Sequence, residues 1–153
     1  MTTILTPVDF SGITELVITA AATLARAQKG RIVLINVIQP PIITADYAPY
    51  LENIGEIIAV SEKTAAKQLA RLETRFQEEG IATETRQFTG APVTYILDQA
   101  VELGADYIVM GSHGHTAFYD LLVGSTTHGV LRKSPCPVLV VPAQEKKTAK
   151  AKK

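Results

Sequence analysis

Asp106-Tyr107-Ile108-Val109-Met110-Gly111-Ser112-His113-Gly114 is followed, after nine residues, by Gly124-Ser125-Thr126-Thr127 and then by Pro137-Val138-Leu139-Val140-Val141-Pro142. The reading of this stretch decides the fold. An apolar run enters a glycine turn, a second glycine opens a helix that begins with three hydroxyl residues, and a final apolar run closes the domain. A strand feeding a glycine loop and then a bare helix start can hold phosphate, because backbone N–H groups point outward there and the helix dipole favours an anion. Glycine lets an oxygen atom come close to the backbone.

Upstream, the pattern alternates between strand and helix. Thr3 to Val8 is a short apolar run ending in Pro7-Val8-Asp9, with Ser11 positioned to cap a following helix. Ile13, Leu16, Val17, Ala20, Ala21, Leu24 and Ala25 recur at helical steps, and Gly30 stands where a C-terminal cap belongs. Ile32, Val33, Leu34, Ile35 and Val37 are nearly continuous, as in a strand covered on both faces. Pro40-Pro41 ends that strand, and Ile42 to Tyr50 has no period. A helical pattern from about Leu51 runs through Ile54, Ile58, Ala65, Leu69, Leu72 and Phe76 to Gly80. Ala82 to Phe88 carries Glu84, Arg86 and Gln87, a polar strand suited to a sheet edge. Val93, Ile96, Leu97, Ala100 and Val101 form the next helix, stopped by Gly104.

Such alternation predicts an α/β fold with a parallel sheet and helices on both faces. Ligands of open sheets of this kind bind beyond the carboxyl ends of the strands. Here those ends are Val8-Asp9, Val37, Phe88-Thr89 and Gly111. One domain over residues 1–143 is expected, with 144–153 as a disordered, solvated tail in which Lys146 to Lys153 holds five lysines and no acid.

The 153 residues carry no net charge, so nothing marks a nucleic-acid-binding face. With 46% hydrophobic and 20% charged residues the composition is that of a globular protein. A single cysteine, Cys136, excludes an intramolecular disulfide and reads as a small buried hydrophobe. No signal peptide or membrane-length apolar run is visible, and a cytoplasmic location is expected.

Gly111, Gly114, Gly124 and Ser125 are the strongest candidates for chemistry. Spacing alone leaves two ordinary turns and a capped helix as an equal reading. Ser125-Thr126-Thr127 tilts it toward phosphate, because one cap needs one hydroxyl. The P-loop lysine and the Gly-x-Gly-x-x-Gly fingerprint are both absent. Asp9 suits the sugar or base end of a ligand, or equally a helix cap. His113 and His115 lie in the glycine loop and can donate to phosphate; with His128 they form no metal-ligand spacing. No activated nucleophile or paired carboxylates stand out, which favours binding over turnover.

The pattern Gly, two residues, Gly, nine residues, Gly, then Ser or Thr resembles the nucleotide motif of the universal stress proteins. Thr6-Pro7-Val8-Asp9-Phe10-Ser11 and Leu131 to Pro142 are similar to further stretches of that family, so the resemblance covers residues of about 2 to 142. It implies a five-stranded parallel sheet of order 3-2-1-4-5 and the branch of the family that binds ATP, with or without Mg2+. It further implies adenosine held by Pro7, Val8, Asp9 and the main chain at Val37. Ribose and phosphates would be lined by Met110, Gly111, Ser112, His113 and Gly114, with His115 beside them, and phosphates gripped by Gly124, Ser125, Thr126 and Thr127. His115 stands where the family often has arginine, so no fixed charge compensates the γ-phosphate there at neutral pH. The resemblance also implies a homodimer through the last strand, and the flat apolar edge Val138–Val141 supports this independently.

These readings make a nucleotide-dependent sensor or regulator with an unidentified protein partner, no nucleic acid and no membrane. Rival readings are a slow ATPase or nucleotidyl-transferring enzyme of the same adenine-binding group, a regulator that takes AMP or cyclic AMP, and an interaction module with a vestigial pocket.

Overall fold

A computed structural model describes residues 1–42, 45–46, 52–114 and 123–144. Among the described residues five strands and four helices alternate: β1 (Thr3–Pro7), α1 (Thr14–Gln28), β2 (Arg31–Ile38), α2 (Ile54–Glu78), β3 (Thr83–Thr89), α3 (Pro92–Glu102), β4 (Tyr107–Gly111), α4 (Ser125–Lys133) and β5 (Val138–Val141). The sheet is parallel throughout, in the order β3-β2-β1-β4-β5, as expected.

Strand alternation splits the core between two faces. Ile4, Ile32, Leu34 and Val109 pack with Val17, Ile18, Ala21, Ala22 and Ala25 of α1 and with Leu69 and Phe76 of α2. Leu5, Val33, Ile35, Ile108 and Met110 pack with Ile96 and Ala100 of α3 and Val130 of α4. β2 is buried on both sides because neither of its faces offers a polar residue between Arg31, which opens the strand, and Asn36. β3, with Glu84 and Arg86, is indeed an edge. Arg86 is held by Glu84 and Glu102 at 2.7 Å each.

β1 and β4 register over only two pairs, Ile4 with Tyr107 and Leu5 with Ile108. Their carboxyl ends then part at the point where the strand order reverses, which opens a crevice.

Local geometry corrects three expectations. Ser11 does not cap α1 with its hydroxyl; its carbonyl accepts from Thr14 N at 3.0 Å and its Oγ has no partner. The left-handed residue that ends α1 is Lys29 (φ 50°), not Gly30. Gly30 is needed for clearance instead, since a Cβ there would stand 2.7 Å from the Thr2 carbonyl oxygen. Cys136 is only partly buried. Gly80 and Gly104 do end their helices in the left-handed region. The long helix starts at Ile54; Leu51 lies outside the described residues, as do most of Ile42 to Tyr50 and nearly all of the Lys-rich tail.

Candidate functional site

A cavity of about 740 Å³ occupies the crevice. Its lining comes from seven places: the β1 end and the turn after it, the start of α1, the β2 end, the middle of α2, the start of α3, the β4 end with its glycine loop, and the start of α4. Of the residues picked from sequence, Pro7, Val8, Asp9, Val37, Met110, Gly111, His113, Gly114, Gly124, Ser125, Thr126 and Thr127 all line it. His115 lies outside the described residues.

Asp9 is fixed by its own turn. Its Oδ1 accepts from Ser11 N at 3.0 Å, and the intervening Phe10 is forced to φ 60°. A left-handed conformation is unusual for an aromatic residue and is a strain held by the surrounding fold. Across the crevice lies Gly114, where a Cβ would overlap Asp9 Oδ2. Any larger residue at 114 would therefore push the Asp9 carboxylate aside. Gly111 is also tight, with a Cβ reaching 3.0 Å from Ile13 Cγ2. Gly124 is different. It is extended (φ −72°, ψ 169°), and a Cβ there would come no nearer than 3.5 Å to Ser112 O. Among the described residues nothing demands glycine at 124.

Two hydrogen bonds tie the glycine loop to α4. Gly124 N donates to Ser112 O at 2.6 Å, and Thr127 Oγ1 donates to Gly111 O at 2.7 Å. Thr127 is buried, so its hydroxyl serves the scaffold and only its N–H remains for a ligand. Ser112 is likewise a buried brace and does not line the cavity. Its N donates to Val141 O at 2.8 Å, its Oγ accepts from Ala143 N at 3.1 Å, and that Oγ lies 3.0 Å from His113 Nδ1. The first intrahelical bond of α4 runs from His128 N to Gly124 O. The N–H groups of Ser125, Thr126 and Thr127 precede it and have no acceptor within the helix. No lysine or arginine is found among the described lining residues. Any anion here is met by N–H groups, hydroxyls, His113 and a helix dipole rather than by fixed charge. Among the described residues no group of three His, Cys, Asp or Glu side chains could hold a metal, and no helix is long and apolar enough to cross a membrane.

Sequence reasoning missed one wall of the cavity. Val60, Ser61, Thr64, Ala65 and Gln68 of α2 face it, as do Thr14 and Asn36. The α2 residues share one helical face, but Ser, Thr and Gln at such spacing look like any solvated surface. Asn36 did carry a signal: it interrupts the apolar run Ile32–Val37.

A parallel α/β sheet with a glycine loop and a helix start at its switch point defines the class of small mononucleotide-type folds. Within that class, the model of the universal stress protein family matches residues 1–142, and the chain belongs to that family. The universal stress protein YxiE of Bacillus subtilis (strain 168) is 31% identical over 143 residues, covering 90% of this chain and 96% of the relative. The solved structure of MJ0577 superimposes with a TM-score of 0.80 at 27% identity, covering 94% of this chain and 97% of that one; a protein of that name is a universal stress protein of Methanocaldococcus jannaschii. A universal stress protein solved in complex with cAMP matches with a TM-score of 0.63 at 25% identity, over 92% of this chain and 96% of that one.

Proposed function

We propose that this chain binds an adenine nucleotide, ATP foremost, at the carboxyl edge of its sheet and acts as a nucleotide-dependent sensor or regulator in a stress response, with slow hydrolysis at most. The observation that carries this reading is the meeting of Gly111, Gly114, Gly124 and the open N–H groups of α4 around one cavity. In this reading Asp9 and the main chain at Val37 hold the adenosine. Met110 to Gly114 line the ribose and phosphates, and Gly124 to Thr127 grip the phosphates. His115 belongs to the same proposal.

Asp9 is the sole carboxylate among the described lining residues. A Mg2+ ion would therefore take most of its oxygen ligands from the nucleotide phosphates, from water and from hydroxyls such as Ser125, in keeping with its preference for few protein carboxylates. Each helix-terminus contact contributes about 0.3–1 kcal/mol, so affinity should rise as phosphates are added. The proposal extends to a domain over residues 1–143 with the Lys-rich segment 144–153 outside it, a cytoplasmic location, and a homodimer through β5.

The test is to denature the purified protein, identify any released small molecule by mass spectrometry, and titrate ATP, ADP, AMP and cAMP into the stripped protein. Affinity in the order ATP, ADP, AMP is expected. An empty pocket that no adenine nucleotide fills would overturn the assignment. A second reading, a cyclic-nucleotide or AMP regulator, is favoured by the relative solved in complex with cAMP. It predicts that cAMP or AMP binds at least as tightly as ATP.

A further inference from the structure

The first turns of α2 stand apart from the core. No residue of the helix is buried before Ala65, and Ile57 and Val60 are 57% and 65% exposed. Glu52 and Glu56 precede Val60, and Lys63, Lys67 and Arg71 follow it, all five exposed. From Glu56 to Arg71 these residues recur at steps of four, three, four and four, which places them on one helical stripe; Glu52, in the turn leading into α2, extends it. None of the five charges has an ion pair among the described residues. Arg26, Arg31, Arg75 and Arg86, by contrast, are each held by an acid. Nor does any acid stand three or four residues from Lys63, Lys67 or Arg71. Like charges at that spacing repel within a helix, whereas alternating signs attract. Segregating the signs therefore costs the helix stability, and nothing inside the monomer offsets it.

We infer that this stripe is a docking surface for a second copy of the chain, with the two α2 helices laid antiparallel. An axis between Ser61 and Glu62 is midway between Glu56 and Lys67, and equally midway between Glu52 and Arg71. Two-fold rotation about it sets Glu56 of each copy against Lys67 of the other, and Glu52 against Arg71, while the two Val60 side chains meet beside the axis. One patch thus serves both partners, as a two-fold interface requires. A membrane or a nucleic acid, negative throughout, would attract the cationic half and repel Glu52 and Glu56. Only a partner with the opposite order of signs matches both halves, and this chain run in reverse has that order. Exposed pairs are individually weak, so the contact is of the transient class. Concentrated protein in dilute salt forms it, and dilution on a gel-filtration column separates it. Val60 also lines the cavity, so the seam adjoins the crevice. The inference depends neither on the nucleotide reading nor on the pairing through β5.

The test is sedimentation equilibrium on the full chain at concentrations on the order of 0.1–1 mM. The weight-average mass should climb with concentration in dilute salt, and climb far less once salt shortens the screening length to about 3 Å. Lys67→Glu and Glu56→Lys each turn two attractions into repulsions and should weaken association at least about tenfold. Mixing the two variants restores opposite signs wherever position 56 faces position 67, and so does combining both substitutions in one chain. Either should recover the unaltered association to within about threefold. A helix merely disturbed by its new charge would not be rescued by a second chain, so the mixture is the decisive readout. A mass independent of concentration in the unaltered protein overturns the inference. So does association that survives the single variants, which puts the contact elsewhere. A loss that neither the mixture nor the double variant repairs also overturns it, because Glu56 and Lys67 then do not face each other.

Discussion

Replacing Gly114 with alanine should destabilise the protein through Asp9, and removing Asp9 should abolish most of that cost. The added Cβ would overlap Asp9 Oδ2, well inside any distance that carbon and oxygen tolerate. Gly114 is not in the left-handed region, so alanine brings no backbone penalty of its own. The carboxylate must swing away, and in doing so it loses the bond from Ser11 N that forms the turn. A hydrogen bond to a charged acceptor contributes about 2 kcal/mol. In an Asp9→Ala background the same methyl meets no oxygen, and the Gly→Ala change then recovers about 0.4–1 kcal/mol through the unfolded chain. Urea unfolding of the unaltered protein, Gly114→Ala, Asp9→Ala and the double variant should therefore give a coupling of about 2 kcal/mol or more, well above the scatter of independent sites. Additivity within about 0.5 kcal/mol would refute the claim that glycine at 114 exists to make room for Asp9.

Four further outcomes are expected. Gly124→Ala should leave the urea midpoint almost unchanged, because the nearest atom to its Cβ is 3.5 Å away, yet lower ATP affinity in calorimetry by about tenfold, the loss of one charge-assisted hydrogen bond; unchanged affinity would remove Gly124 from the phosphate site. Gly30→Ala presses on the Thr2 main chain at 2.7 Å and should cost about 1–3 kcal/mol in the same denaturation assay, with a neutral result ruling out the clash. Burial pushes the Cys136 thiol above its ordinary pKa, the Ser134 hydroxyl partly offsets this, and the Asp106 charge adds to it. Since the thiolate is the reactive form, iodoacetamide should label Cys136 more slowly than free cysteine at neutral pH, with the rate rising toward a midpoint above that of a free thiol. Leu139→Lys places a charge on a β5 side chain that is 44% exposed; light scattering after gel filtration should find monomers, and an undisturbed dimer would move the seam elsewhere.

The strands were legible because hydrophobicity reports burial directly. The run Ile32–Val37 reads as a central strand, and Glu84 with Arg86 reads as an edge, since charge is tolerated where one side is open. The glycine loop was legible because glycines directly after an apolar run mark the turn that ends a strand. What each glycine does was not. Gly30 and Gly114 are fixed by neighbours distant in sequence, Thr2 and Asp9, and no local pattern reveals such proximity. The same limit hid the division of labour among the hydroxyls. Ser125, Thr126 and Thr127 look alike in sequence, but only Thr127 meets the Gly111 carbonyl. The α2 wall was invisible because a polar helical face signals exposure, and only packing beside the crevice turns it inward.

The two borders of the sheet differ in kind. β3 is laced with ion pairs, whereas β5 offers Val138 to Val141 with no charge at all. A sheet with two adhesive borders can add copies without end and grow into a fibre. One with a single adhesive border has used it up after the first partner arrives. In the proposed pairing through β5, the charge on β3 would act as a stop signal for growth, keeping the opposite side closed to the next copy.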